Sequence, residues 1–171
     1  MRKIGQIFRF LIPVIALAAL VVFLVGAGRR RRAEGDIRAK TIRVAEELWN
    51  KRNTDLVDEI YRPDFVRYMP APVGKVEGRE AFRQYLAQTF GDYPERLQVT
   101  IDDIIVEGDR RTLAYTFQGT HKSGVQVTFK GCSVARYVDG KMVEEREYWD
   151  MLEVLQQFGF KLVPPGGGGG K

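Results

Sequence analysis

Few side chains of this 171-residue chain could do chemistry, and their scarcity excludes several mechanisms. The sequence holds a single cysteine, Cys132, and a single histidine, His121. These exclude an intramolecular disulfide, a Cys/His zinc site and a multi-histidine metal centre. Because the sequence places no base near Cys132, we interpret it as a small apolar residue rather than a nucleophile. We therefore expect neither a metal nor a cofactor.

Charged and aromatic residues on the predicted strands are the remaining candidates for a site. On a strand over residues 141–150, Glu144, Arg146, Tyr148 and Asp150 share one face. If that face lines a pocket, Arg146 either binds an anionic ligand or pairs with a neighbouring carboxylate and lowers its pKa. Other aromatic residues lie at core spacing, and a few of them could line a cavity. The predicted pocket residues are Tyr68, Tyr85, Phe117, Phe129, Arg146 and Tyr148.

The elements that must position these residues change from helices to strands along the chain. Helical spacing covers residues 37–61, with a break at Asn53 and Thr54, and returns after Gly78. A strand and a loop lie between these helices, and strands over 96–107, 112–121, 125–138 and 141–150 follow, before a short helical end. This order predicts an α+β fold in which a curved antiparallel sheet wraps around two to three N-terminal helices. Such a cone has a mouth that can bind a small molecule.

The basic charge of the chain is confined to its N-terminal part. Residues 1–43 hold ten Lys/Arg and two Asp/Glu, whereas residues 44–171 hold seventeen and twenty. Nucleic-acid binding therefore lacks its electrostatic footprint on the globular part. Residues 10–28 contain no charge and are long enough for one transmembrane helix. Four arginines follow and are expected to contact lipid headgroups: Arg29, Arg30, Arg31 and Arg32.

We interpret the apolar segment as a signal anchor that stays in the lipid bilayer, with a cleaved signal peptide ending near Ala27 as the alternative. Lys and Arg are more frequent after the span than before it, so the positive-inside rule predicts a cytoplasmic domain on a single-pass protein. The predicted parts are a basic N-terminus (1–9), the span (10–28), an Arg-rich linker (29–36), the cone domain (37–162) and a Pro/Gly tail (163–171).

The order of several motifs resembles the SnoaL-like polyketide or ester cyclases, which belong to the cone-shaped superfamily named after nuclear transport factor two. The motifs are ELWNKRNTDLVDEIYRPDFV, GREAFRQYLAQTF, VTIDDIIVEGDR, FQGTH and DGKMVEEREYWDMLEVLQQFG. The resemblance implies proton abstraction next to a carbonyl, with Asp150 as base and His121 as oxyanion donor or proton relay. The chain departs from the family at Arg146, where an aromatic residue is usual, and after His121, where a Gly-x-Pro-x-Thr-Gly element is absent.

Each candidate also has a structural interpretation. Asp150 could cap the closing helix, His121 could be exposed beside a turn, and Arg146 could be an ion-pair partner. The first functional hypothesis is a membrane-anchored, cofactor-independent cyclase, isomerase or hydratase acting on a small hydrophobic carbonyl compound. The second is a non-catalytic accessory or assembly subunit of a larger membrane complex, and a third is a ligand-binding protein without chemistry. The resemblance also implies a homodimer.

Overall fold

The computed structural model describes the backbone of residues 2–163 and the side chains of residues 20–163. It begins with a long helix, α1 (Arg2–Arg43), which continues as a π-helix (Val44–Trp49). Three shorter helices are α2 (Leu56–Ile60), α3 (Arg79–Asp92) and α4 (Met151–Gln157). The strands are β1 (Tyr61–Tyr68), β2 (Lys75–Glu77), β3 (Arg96–Glu107), β4 (Arg110–Thr120), β5 (Gln126–Val138) and β6 (Lys141–Trp149). The predicted α+β class is confirmed.

All six strands form one curved sheet in the order β2-β1-β6-β5-β4-β3. Strands β3 to β6 are an antiparallel meander, as predicted, and the register shifts between Ile101 and Asp103 and between Arg136 and Tyr137 bend its strands. The sheet is not purely antiparallel, because β1 pairs in parallel with β6. Parallel neighbours need a long connection, and here α3 and four strands separate the two along the chain.

Apolar side chains from the helices pack against one face of this sheet. One cluster joins the π-helix, α2, β1 and α3, and includes the fully buried Leu48, Ile60, Phe65 and Phe82. A second cluster lies between β3, β4 and β5, around Leu97, Leu113 and Val127. Its core residues alternate along each strand, and on β3 the alternation changes phase at the register shift between Ile101 and Asp103.

Helix α1 differs from the predicted N-terminal organisation, because the segment 29–36 is helical rather than a linker. Pairs at i and i+4, such as Arg30 with Glu34 at 2.8 Å, stabilise the helix there. Glu34 also accepts a hydrogen bond from the backbone N–H of Gly108 at 2.9 Å, and Arg38 donates to the carbonyl of Ile104 at 2.7 Å. The end of α1 is therefore fixed to β3 and to the turn that follows it.

The predicted transmembrane segment, residues 10–28, lies within α1, and its first ten residues belong to the part whose side chains are not described. Among the described residues, no helix has the length and apolar character needed to cross a bilayer. The predicted transmembrane helix therefore finds no support in this part of the chain. In the tail predicted over 163–171, only Val163 lies among the described residues.

Candidate functional site

A cavity of about 300 Å³ lies between the helices and the inner face of the sheet. Most of its wall is apolar and includes Trp49 from the π-helix, Tyr85 from α3, Phe117 and Phe129 from the sheet, and Val154 from α4. Small-molecule sites are typically concave and apolar, with a few polar groups that orient the ligand. The cavity is concave and mostly apolar, and its few polar groups determine which ligand it can bind and which chemistry it can support.

Four charged side chains line one part of this cavity, and we call them the charge cluster: Arg67, Arg111, Glu145 and Glu147. Arg67 Nη2 donates to Glu147 Oε1 at 2.7 Å, and Arg67 Nη1 lies 3.4 Å from Glu145 Oε2. Arg111 Nη2 donates to Glu145 Oε1 at 2.6 Å, and its Nη1 donates to the Ser133 hydroxyl. All four are more than nine-tenths buried, so each charge depends on its neighbours for compensation.

The register of the sheet explains why these residues meet. Arg111, Ala135 and Glu145 are direct partners across β4, β5 and β6, and the small alanine leaves space between the two charged side chains. Arg67 is the direct partner of Glu145 on β1. Residues two apart on a strand share a face, so Glu147 follows Glu145 into the cavity.

A glycine allows Tyr115 to complete the cluster. Tyr115, Gly131 and Trp149 are partners across the same three strands, and a Cβ at Gly131 would overlap the Tyr115 ring. The ring lies over this glycine, and the Tyr115 hydroxyl donates to Glu147 Oε2 at 2.7 Å. Both oxygens of Glu147 therefore accept a hydrogen bond.

The two carboxyl groups of the cluster have opposite pKa shifts. Burial raises the pKa of Glu147 to about 7, against the opposing charge of Arg67, and the nearby Glu145 carboxylate adds to the increase. Burial also acts on Glu145, but Arg67 and Arg111 outweigh it and hold the pKa of Glu145 below its usual range. Burial, followed by the Glu147 charge, raises the pKa of Tyr115, which keeps its hydroxyl a donor. Carboxyl groups with pKa values moved apart are typical of acid–base sites.

The guanidinium of Arg67 is surrounded by aromatic rings as well as carboxylates. Its Cζ lies 5.3 Å from the ring centre of Trp49, 5.5 Å from that of Phe82 and 5.6 Å from that of Tyr85. Cation–π attraction stabilises a guanidinium that has lost its water. Arg67 is therefore held as a buried cation beside Glu147.

The two predicted catalytic residues lie outside this cavity wall. Asp150 is exposed and is the N-cap of α4, where its Oδ1 accepts from the backbone N–H groups of Leu152 at 2.9 Å and Glu153 at 3.1 Å. His121 lies at the end of β4, with its Nδ1 2.8 Å from the Ser123 hydroxyl. Their catalytic roles stay predictions, and the geometry of Asp150 is that of the capping alternative.

Of the predicted pocket residues, Tyr85, Phe117 and Phe129 line the cavity. Tyr68, Arg146 and Tyr148 lie outside its wall, contrary to the prediction. Arg146 and Tyr148 are exposed on the outer face of the sheet, because β6 turns Glu145 and Glu147 inward instead. Arg146 donates to Glu144 at 3.0 Å and lies 4.3 Å from the ring centre of Tyr68, so it has the predicted alternative role of an ion-pair partner.

The remaining sequence-based assignments concern the N-terminal arginines and metal ligands. The four predicted headgroup residues are exposed on α1: Arg29, Arg30, Arg31 and Arg32. Arg30 lies 3.5 Å from Glu107 in addition to its contact with Glu34. Within the described part of the chain, no group of three or more His, Cys, Asp or Glu is placed to hold a metal ion.

The charge cluster was not predicted from the sequence. Arg111 shares one face of β4 with the apolar Leu113 and Phe117, and this spacing is a signal in the sequence that Arg111 is buried. Glu145 and Glu147 carried no such signal, because both faces of β6 contain charged residues. Only the pairing with β5 decides which face of β6 is inside.

Comparison with known proteins agrees with the α+β fold. The family model described as SnoaL-like polyketide cyclase matches residues 39–158. A Jannaschia sp. CCS1 structure assigned as a SnoaL-like polyketide cyclase has a TM-score of 0.65 at 25% identity, over 72% of this chain and 92% of its own. IdmH from Streptomyces antibioticus, assigned as a polyketide cyclase, has a TM-score of 0.64 at 22% identity, over 72% and 99%.

A third structure has a ketosteroid isomerase-like fold and contains trimethylamine. This protein from Catenulispora acidiphila DSM 44928 has a TM-score of 0.63 at 20% identity, over 71% of this chain and 93% of its own. The comparison with curated proteins found no match. The structural likenesses show the shared cone fold.

Proposed function

Because this chain belongs to the SnoaL-like polyketide cyclase family, we propose that it binds a small, mainly apolar carbonyl compound and transfers a proton on it, with Glu147 as the base. The observation that carries this proposal is the position of Glu147 in the cavity wall, buried between Arg67 and Tyr115 with a pKa of about 7. A base with a pKa near the working pH is ionised often enough to act and still accepts a proton strongly.

The neighbours of Glu147 supply the other parts of such a reaction. Removing a proton next to a carbonyl leaves negative charge on the carbonyl oxygen, and a buried cation stabilises that charge far better than an exposed one does. Arg67 is such a cation, and most of the cavity wall around it is apolar. Tyr115 positions the carboxyl group through its hydrogen bond to Oε2. The proposed class of reaction is cofactor-independent isomerisation or cyclisation.

Glu147 replaces Asp150 as the proposed base for a geometric reason. A base must approach the proton that it removes within hydrogen-bond distance or through one water. Asp150 has one carboxylate oxygen engaged by two backbone N–H groups of α4 and is not part of the cavity wall. Glu147 is part of that wall.

The test measures exchange of the α-protons of 2-tetralone, a bicyclic ketone, by NMR in D₂O with the full chain. Glu147→Gln is expected to slow the catalysed exchange at least a hundredfold, within the range known for the loss of a general base. Glu144→Gln is the matched control, because Glu144 lies on the same strand but outside the cavity wall, and it should keep the wild-type rate. Equal rates for wild type and Glu147→Gln would remove Glu147 from the mechanism.

We also propose, from the sequence, that residues 10–28 anchor the chain in a bilayer as a single-pass protein with its domain in the cytoplasm. The support is the uncharged stretch followed by four exposed arginines. Extraction of the full chain from membranes by alkaline carbonate would overturn the anchor, and proteolysis of the domain from outside intact cells would overturn its orientation.

The homodimer and the accessory subunit remain alternatives. The accessory subunit predicts a partner that co-purifies in mild detergent and no exchange of 2-tetralone protons.

A further inference from the structure

The two guanidinium groups of the charge cluster have more hydrogen-bond donors than the protein uses. Each arginine carries five N–H donors. Among the described residues, Arg67 makes one side-chain hydrogen bond, to Glu147, and Arg111 makes two, to Ser133 and Glu145. The Nε atoms of both arginines are buried without any partner. Buried donors are normally satisfied, so this surplus points to a ligand group rich in acceptor oxygens.

The charge balance of the cluster also favours an anionic ligand. Two arginines and two glutamates balance when all four are ionised, and a proton on Glu147 leaves one positive charge without a counter-charge. A buried, uncompensated charge is costly, and a bound anion would remove that cost. The apolar remainder of the cavity wall then accommodates the rest of the ligand.

We infer that, besides the carbonyl substrate, this cavity binds an anion with an ionised oxygen head, a carboxylate or the enolate of the substrate, on an apolar body, and that this head binds at Arg67 while Glu147 holds a proton. The inference rests on the ligand-binding part of the proposed function and names a second class of ligand for the same site. Binding takes one proton from water onto Glu147 when that residue is ionised beforehand. An enolate formed by proton transfer to Glu147 presents the same combination of charges.

Other titratable groups near Glu147 could contribute to the pH dependence of ligand binding. Arg67 faces it from β1, Arg111 and Tyr115 from β4, and Glu145 from its own strand. Two further titratable residues of α3, Tyr85 and Asp92, lie in the cavity wall. Glu145 has a lowered pKa and Tyr115 a raised one, so neither changes charge between pH 6 and pH 8. Comparison with Glu147→Gln removes the contribution of all other groups.

The experiment compares two fluorescent probes with the same ring system, 2-naphthoate and 2-acetylnaphthalene, titrated into the full chain at pH 6 and pH 8. 2-Naphthoate stays ionised throughout this range. If it requires protonated Glu147, its affinity should be about tenfold higher at pH 6, because the protonated fraction falls from roughly nine-tenths to one-tenth around a pKa of about 7. The neutral ketone should change less than twofold.

Two variants make the assignment specific. Glu147→Gln mimics the protonated carboxyl group, so it should bind 2-naphthoate equally well at both pH values. Glu144→Gln should retain the tenfold pH dependence of the wild type, since Glu144 is outside the cavity wall. Arg67→Met combined with Glu147→Gln, which removes opposite charges together, should bind 2-naphthoate at least tenfold more weakly than Glu147→Gln alone while retaining 2-acetylnaphthalene.

The outcomes separate this inference from the proposed function. If 2-acetylnaphthalene binds and 2-tetralone exchanges, but 2-naphthoate fails to bind or binds without pH dependence, an anionic head beside protonated Glu147 is overturned and the proposed function stands. If 2-naphthoate binds as expected but no exchange occurs, the cavity takes an anionic ligand without the proposed chemistry. If neither probe binds and 2-tetralone does not exchange, both are overturned.

Discussion

The raised pKa of Glu147 makes the stability of this protein depend on pH in an unusual direction. In the folded state Glu147 keeps its proton up to a pH of about 7, whereas an unfolded glutamate releases it near 4.5. Between these values the folded state binds more protons than the unfolded state, so the free energy of unfolding falls as pH rises. The full difference corresponds to about 3 kcal/mol, and between pH 5 and pH 8 we expect roughly 2–3 kcal/mol.

Urea unfolding at several pH values measures this decline, with tryptophan fluorescence as the signal. The two tryptophans of the chain, Trp49 and Trp149, both line the cavity. Glu147→Gln resembles the protonated carboxyl group, so it should match the wild type near pH 5 and be more stable by roughly 2–3 kcal/mol at pH 8. Glu144→Gln should follow the wild type throughout. Parallel curves for wild type and Glu147→Gln would refute the reasoning, and so would a wild type that gains stability from pH 5 to pH 8.

Three further substitutions test the roles of neighbouring residues. Asp150→Ala removes the N-cap of α4 and should cost about 1 kcal/mol in urea unfolding while 2-tetralone exchange stays within twofold; a tenfold loss of exchange in a folded variant would return Asp150 to the mechanism. Tyr115→Phe removes a hydrogen bond that favours ionised Glu147, so the midpoint of the pH–rate profile for exchange should move upward; a downward shift would contradict the assigned bond. Gly131→Ala places a methyl group into the Tyr115 ring and should cost about 1–3 kcal/mol and lower exchange, whereas Gly91→Ala, with open space at its Cβ, should do neither; equal behaviour of the two would be inconsistent with the packing of Tyr115.

Local signals in the sequence were sufficient for most of the fold. The alternating pattern over residues 96–107 coincides with β3, and the turn at Asp139 and Gly140, both with positive φ, joins β5 to β6 in the gap between the strands predicted over 125–138 and 141–150. The parallel pairing of β1 with β6 was not predicted, because it depends on a contact between distant parts of the chain. The helical segment 29–36 was missed for a different reason. Its polar composition suggested a linker, but its i,i+4 charge pairs stabilise a helix.

The site was harder to predict than the fold because it is built from long-range contacts. Arg67 and Glu147 are 80 residues apart in the chain and meet only through strand pairing. On β6, a shift of one residue in the alternation would place Glu144 and Arg146 inside instead of Glu145 and Glu147. Because both faces of the strand carry charged residues, the sequence does not show which face is buried. Buried charges are rare, so a reading of the sequence alone assigns such residues to the surface.

The proposal that Glu147 is a base poised at neutral pH is tested most directly by its own titration. Carbon-13 NMR of the glutamate carboxyl groups, with the Glu147 signal assigned by its loss in Glu147→Gln, would follow its ionisation in the full chain. We predict a midpoint near pH 7, set chiefly by burial against the opposing charge of Arg67. A midpoint at or below the ordinary value of 4.5 would contradict the account, because Glu147 would then be a permanently ionised partner of Arg67.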